Sequence, residues 1–190
     1  MLSSPLYAQT TQRLISQTQF GIKGGLIASS IAGDVSTSFY RRYVAGGWFM
    51  APFVEKTQLK VEILYTGQGA WDRSRKRENG RWDYLYLNVP ILIMFSPFDE
   101  PDLMLEAGLQ AGNLLDARYI DDQRRYNIKS ETRDLDLSLV GGVAWNFLPR
   151  WMTDVRVTMG LMDHSLRTWT NDEYYNFTLQ WGISYLIPAR

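Results

Sequence analysis

Between residues 59 and 70 the chain alternates apolar and polar residues one by one. Leu59, Val61, Ile63 and Tyr65 hold the odd positions, and Lys60, Glu62, Leu64, Thr66 and Gln68 the even ones. Successive side chains of a β-strand leave on opposite faces, so this stretch predicts a strand with one apolar and one mostly polar face. The pattern recurs. A glycine-rich strand is predicted over 19–29 and a second, with mixed faces, over 40–53. The fourth, over 83–95, sets Leu85, Leu87, Val89, Ile91, Ile93 and Phe95 against Tyr84, Tyr86, Asn88 and Pro90. Proline cannot donate to a ladder, so Pro90 departs from the strand pattern. The fifth strand (102–113) sets Leu105, Ala107 and Leu109 against Glu106, Gly108 and Gln110. The sixth (134–147), seventh (154–161) and eighth (175–185) alternate in the same way.

Eight strands are an even number, as up-and-down membrane barrels require, and long and short connections alternate between them. The stretch 116–131 reads as one of the long polar loops. The predicted fold class is all-β: an eight-stranded antiparallel up-and-down transmembrane β-barrel with a polar packed lumen and a lipid-facing apolar exterior. A soluble lipocalin-like ligand-binding barrel would reverse the two faces. Three features favour lipid outside. The polar face is rich in small Gly, Ser, Thr and Asn, the apolar face runs unbroken in strands four, six and eight, and Trp48, Trp145, Trp151, Trp181 and Tyr185 fall where aromatic girdles lie.

Composition narrows the function. The 190 residues suit one domain, and 20 basic against 20 acidic residues argue against a nucleic-acid partner. There is no cysteine and one histidine, which excludes a thiolate or multi-histidine metal site within the chain, so neither metal nor cofactor is expected. No apolar run reaches the ~18 residues of a membrane-spanning helix. Residues 1–18 read as a signal-peptide remnant and polar leader, and 19–190 as the barrel domain.

The ordered segments Gly21-Ile-Lys-Gly-Gly-Leu26, Val61-Glu-Ile-Leu-Tyr-Thr-Gly-Gln-Gly69, Tyr86-Leu-Asn-Val-Pro-Ile91 and Glu106-Ala-Gly-Leu-Gln-Ala-Gly112 resemble the PorT-like outer-membrane β-barrel family of Bacteroidetes-type bacteria. The resemblance covers nearly the whole chain after residue 18. It implies an integral outer-membrane location, and with it Pro90 becomes a family feature. Some members are linked to type IX protein secretion, which implies a structural or accessory subunit of an envelope assembly. The resemblance brings no catalytic residues.

Candidate chemistry lies on the polar face. Lys23, Lys60, Glu62, Glu106, Asp134, Asp136, Asp154 and Arg156 would be buried in a packed lumen. Buried charges must be paired, so a structural ion-pair network is expected rather than an acid–base couple. The loop carrying Arg73, Arg75, Lys76, Arg77 and Arg81 is a candidate anion contact, since guanidinium groups bind phosphate bidentately. The expected partners are outer-membrane lipid, lipopolysaccharide and other envelope proteins. His164-Ser165 with Glu173 raises a second reading, a lipid-modifying enzyme of the lipid A deacylase type. Adjacent strand residues point to opposite faces, which argues against it.

Overall fold

The computed structural model describes residues 18–32, 37–72, 80–97, 102–121, 124–131, 134–161 and 175–188. Its strands are β1 (Gln19–Ala32), β2 (Thr37–Val54), β3 (Thr57–Asp72), β4 (Arg81–Phe95), β5 (Leu103–Ile120), β6 (Arg125–Asn127), β7 (Leu135–Leu148), β8 (Trp151–Gly160) and β9 (Tyr175–Ile187). Neighbours pair antiparallel in the order β4-β3-β2-β1-β9-β8-β7-β5-β6, and β4 also pairs with β5. That last pairing closes a ring of eight strands, with the three-residue β6 attached to the far end of β5. Closure leaves none of the eight with an open edge, which alone removes the unpaired backbone groups of a sheet.

The alternation sorts inside from outside in the direction expected for a membrane barrel. On β3, Ile63 is 59% exposed and the adjacent Leu64 1%. Leu87, Ile91 and Ile93 of β4, Leu105 and Leu109 of β5, and Val155 and Val157 of β8 are exposed on the outer wall. Trp145, Trp151 and Trp181 are also outside. Trp151 packs on Tyr185 with ring centroids 4.9 Å apart, and the Trp181 indole N–H donates to Thr153 Oγ1 at 3.0 Å. Trp48 is a correction. It points into the lumen, buried, with its N–H donating to the Ile22 carbonyl at 3.2 Å. A Cβ on Gly21 would lie 2.5 Å from its ring, so the indole packs there only because that position is glycine.

Two further details depart from the sequence reading, and Pro90 keeps its predicted place in the fourth strand. The strands run longer: only 33–36 separate β1 from β2, and the expected loop 116–131 is partly the end of β5, folded against β6. Pro90 sits inside β4, where the β4–β5 ladder runs through it (Pro90 opposite Gln110) while the β3–β4 ladder skips from Val61/Ile91 to Leu64/Asn88. The missing N–H therefore lies on the β3 side. The lumen is not uniformly polar either. At the short-turn end Trp48, Met50, Leu92, Met94, Met104, Val140, Ala144 and Met152 form a buried apolar layer.

Candidate functional site

Directly above that apolar layer, four strands bring charged side chains together. β8 contributes Asp154 and Arg156, β3 Lys60 and Glu62, β5 Glu106 and β1 Lys23, all buried. Arg156 is the hub. Its Nη1 and Nη2 both donate to Glu62, the latter at 2.9 Å. Its Nε and Nη2 both donate to Glu106, the latter at 3.0 Å. Nε also lies 3.2 Å from Asp154 Oδ1. Lys23 Nζ reaches Asp154 Oδ1 at 2.6 Å and Glu62 Oε1 at 3.7 Å, and Lys60 Nζ reaches Glu62 Oε1 at 2.9 Å. Lys23, Lys60 and Arg156 thus face Glu62, Glu106 and Asp154, three cations against three carboxylates. In low dielectric that balance is what makes burial tolerable.

Two glycines make the cluster fit. Register places Gly142 of β7 between Glu106 and Arg156 in one row across the wall. A Cβ there would come within 2.8 Å of Glu106 Oε1 and 3.0 Å of Arg156 Cγ. Gly182 of β9 stands beside Asp154 in the next row, and its Cβ would strike Lys23 Cε and approach Asp154 Oδ2 to 3.0 Å. These glycines are sites of close side-chain approach rather than flexibility.

Above the ions the lumen is polar. Asn88 Nδ2 donates to Thr66 Oγ1 at 2.7 Å, and Ser138 Oγ to Asp136 Oδ2 at 3.3 Å. Asp136 is buried, in this layer rather than in the Arg156 cluster. Asp134 is a correction: it lies in the bend before β7 and is exposed, because the strand starts one residue later. At the long-loop end Tyr86, Leu114 and Ala117 make a second apolar cluster, against which Tyr84 and Ile128 pack.

Of the candidate anion-contacting residues, Arg73, Arg75, Lys76 and Arg77 lie outside the described residues, as do His164, Ser165 and Glu173. Arg81 is described. Its guanidinium lies 5.7 Å from both the Tyr40 and Trp71 ring centroids. Sequence reasoning missed Arg42 beside it, which pairs with Asp83 at 3.0 Å. The mixed faces of β2 hid it. Among the described residues no group of three or more His, Cys, Asp or Glu side chains could hold a metal ion.

A closed eight-stranded antiparallel ring with an apolar exterior and buried charges inside is the construction of a membrane-spanning β-barrel. The chain belongs to the outer membrane protein beta-barrel domain family, which matches residues 7–165, and it is an integral outer-membrane protein. No curated protein matches it in sequence. Among solved structures, Ail, the attachment invasion locus protein of Yersinia pestis, superposes with a TM-score of 0.55 at 14% identity, over 90% of this chain and 99% of Ail. Neisserial surface protein A superposes with a TM-score of 0.56 at 7% identity, over 87% and 96%. At such identities the likeness is one of fold.

Proposed function

We propose that the chain is a non-enzymatic outer-membrane barrel, a structural or accessory subunit of an envelope assembly. In this reading it is PorT-like, with a type IX secretion link, residues 1–18 are a leader, and 19–190 form the functional unit. Its partners are outer-membrane lipid, lipopolysaccharide and other envelope proteins, with Arg73, Arg75, Lys76, Arg77 and Arg81 as the cations offered to anionic partners.

The observation that carries the reading is the state of the lumen. Glu62, Glu106 and Asp154 are each engaged by cations and are buried between an apolar layer and a polar one. A general acid or base must reach a substrate proton, and these groups are committed to one another. In this role the network is structural.

The test is co-isolation from detergent-solubilised native membranes. A set of envelope proteins should co-purify with the tagged chain, and lipid A should be unchanged by mass spectrometry in His164→Ala and Ser165→Ala strains. Altered lipid A acylation in either strain would replace this reading with the deacylase one.

A further inference from the structure

The outer wall of β2, β3 and β4 carries a feature that the barrel itself does not need. Val44 of β2 is buried in the lumen, and strict alternation would send Arg42 and Tyr40 inward as well. A register shift between Phe39 and Val44 intervenes, and bulges re-aim side chains in this way. On β3 the outward row runs Ile63, Tyr65, Gly67, Gly69, Trp71, continuous with its pairing to β4. Ile63 and Tyr65 are exposed, whereas Gly67 and Gly69 are buried because β2 side chains lie across them. A Cβ on Gly67 would lie 2.6 Å from Arg42 Nε, and one on Gly69 3.1 Å from Tyr40 Cδ1. Arg42 and Tyr40 therefore lie on the outside of the barrel.

They join an arginine–aromatic group. Arg42 lies 5.8 Å from the Tyr40 ring and 5.6 Å from Tyr43, and Arg81 lies over Tyr40 and Trp71, whose rings meet edge-on at 5.5 Å. Asp83 binds Arg42 through one terminal nitrogen, and the Nε of both arginines is buried with no hydrogen-bond partner. At the same end of the barrel the outward residues of β7 and β8, Leu135, Leu137, Met159 and Leu161, are apolar and exposed. The basic group is thus one-sided. It stands on the tall flank, where β2 and β5 have 18 residues against 10 in β8.

Arginine on a lipid-facing wall is costly at mid-membrane and cheap at the interface, where aromatic girdles lie. The long-loop end of such a barrel is the external one. We propose that Arg42 and Arg81, held by Tyr40 and Trp71, form a binding site for the phosphate of an outer-leaflet glycolipid. Asp83 engages one Arg42 terminal nitrogen and both Nε are buried, so phosphate bonds through the remaining terminal N–H groups of the stacked guanidiniums. The site faces sideways into the headgroup layer, so its ligand is a lipid rather than a soluble anion. The proposal deepens the assignment of lipopolysaccharide as partner and rests on that reading.

The test uses the full chain folded in detergent and titrated with bisphosphorylated lipid A, the same lipid after dephosphorylation, and inorganic phosphate. The Arg42→Gln/Arg81→Gln variant should bind lipid A about tenfold more weakly, the loss expected for one charge-assisted contact. Arg118→Gln should bind like the parent. Gly67→Ala keeps every charge yet pushes Arg42 from its seat, so it should also bind more weakly, and it carries the test if the double variant fails to show the unboiled gel shift of a folded barrel. Equal binding of dephosphorylated lipid A, unchanged binding by the double variant and by Gly67→Ala, or displacement of lipid by equimolar inorganic phosphate would each overturn the proposal. Co-isolation reads protein partners and the titration reads lipid, so the two failures are distinguishable.

Discussion

Lys60 Nζ lies 5.4 Å from the Trp48 ring centroid, yet the two side chains belong to layers of the lumen held by different physics. Trp48 and its methionine neighbours fill volume, and each is worth the area and contacts it buries. Lys60 and its partners fill the same cross-section with charge, and each is worth little except in the company of the others. Removing one apolar side chain leaves a void. Removing one ion leaves its partners unpaired in low dielectric, which costs more than the pair contributes. An eight-stranded interior must be packed by side chains either way.

Three substitutions sharpen that comparison, read as unfolding free energies in lipid vesicles. Arg156→Met should be the most damaging, at about 3–5 kcal/mol, because two lysines are left to balance three buried carboxylates. A loss below about 1 kcal/mol, the scale of solvated pairs, would mean that the layer is hydrated. Leu92→Ala, in the apolar layer, should cost about 2–3 kcal/mol. That is the low end for such truncations, because Met50, Met94, Met104 and Met152 are flexible enough to shift into the space. Arg118→Ala should cost about 0–1 kcal/mol. Its pair with Asp116 is as short as Lys23–Asp154, at 2.6 Å, but Arg118 is 49% exposed. A loss there matching Arg156→Met would show that distance, not burial, sets the value of these pairs.

The faces were legible in the sequence wherever apolar and polar residues alternate strictly, as around Ile63 on β3 and Leu179 on β9. The lumen charges were legible for the same reason, apart from Asp134, whose parity matches Asp136 but which precedes the strand. The layering was not legible. Which residues share a height depends on the stagger between strands, so the row joining Glu106, Gly142 and Arg156 appears only once the register is known. β2 misled for another reason. Trp48 and Met50 point in while Phe49 points out, so both faces are apolar there and alternation carries no signal. The ladder to β3 also shifts between Phe39 and Val44, and no pattern of residue types announces it.

Pro90 has a mechanical consequence. Two rungs are missing between β3 and β4 beside it, so separating these strands there breaks fewer bonds than at the flanking pairs. Glu62 belongs to β3 and Glu106 to β5, the two strands that flank β4, and one guanidinium from β8, across the ring from β3 and two strands from β5, grips both. Arg156 is therefore a tie-rod across the weakened plank. It loads the strands on either side of the gap toward a common anchor, so the wall can lose rungs at Pro90 without coming apart along that seam.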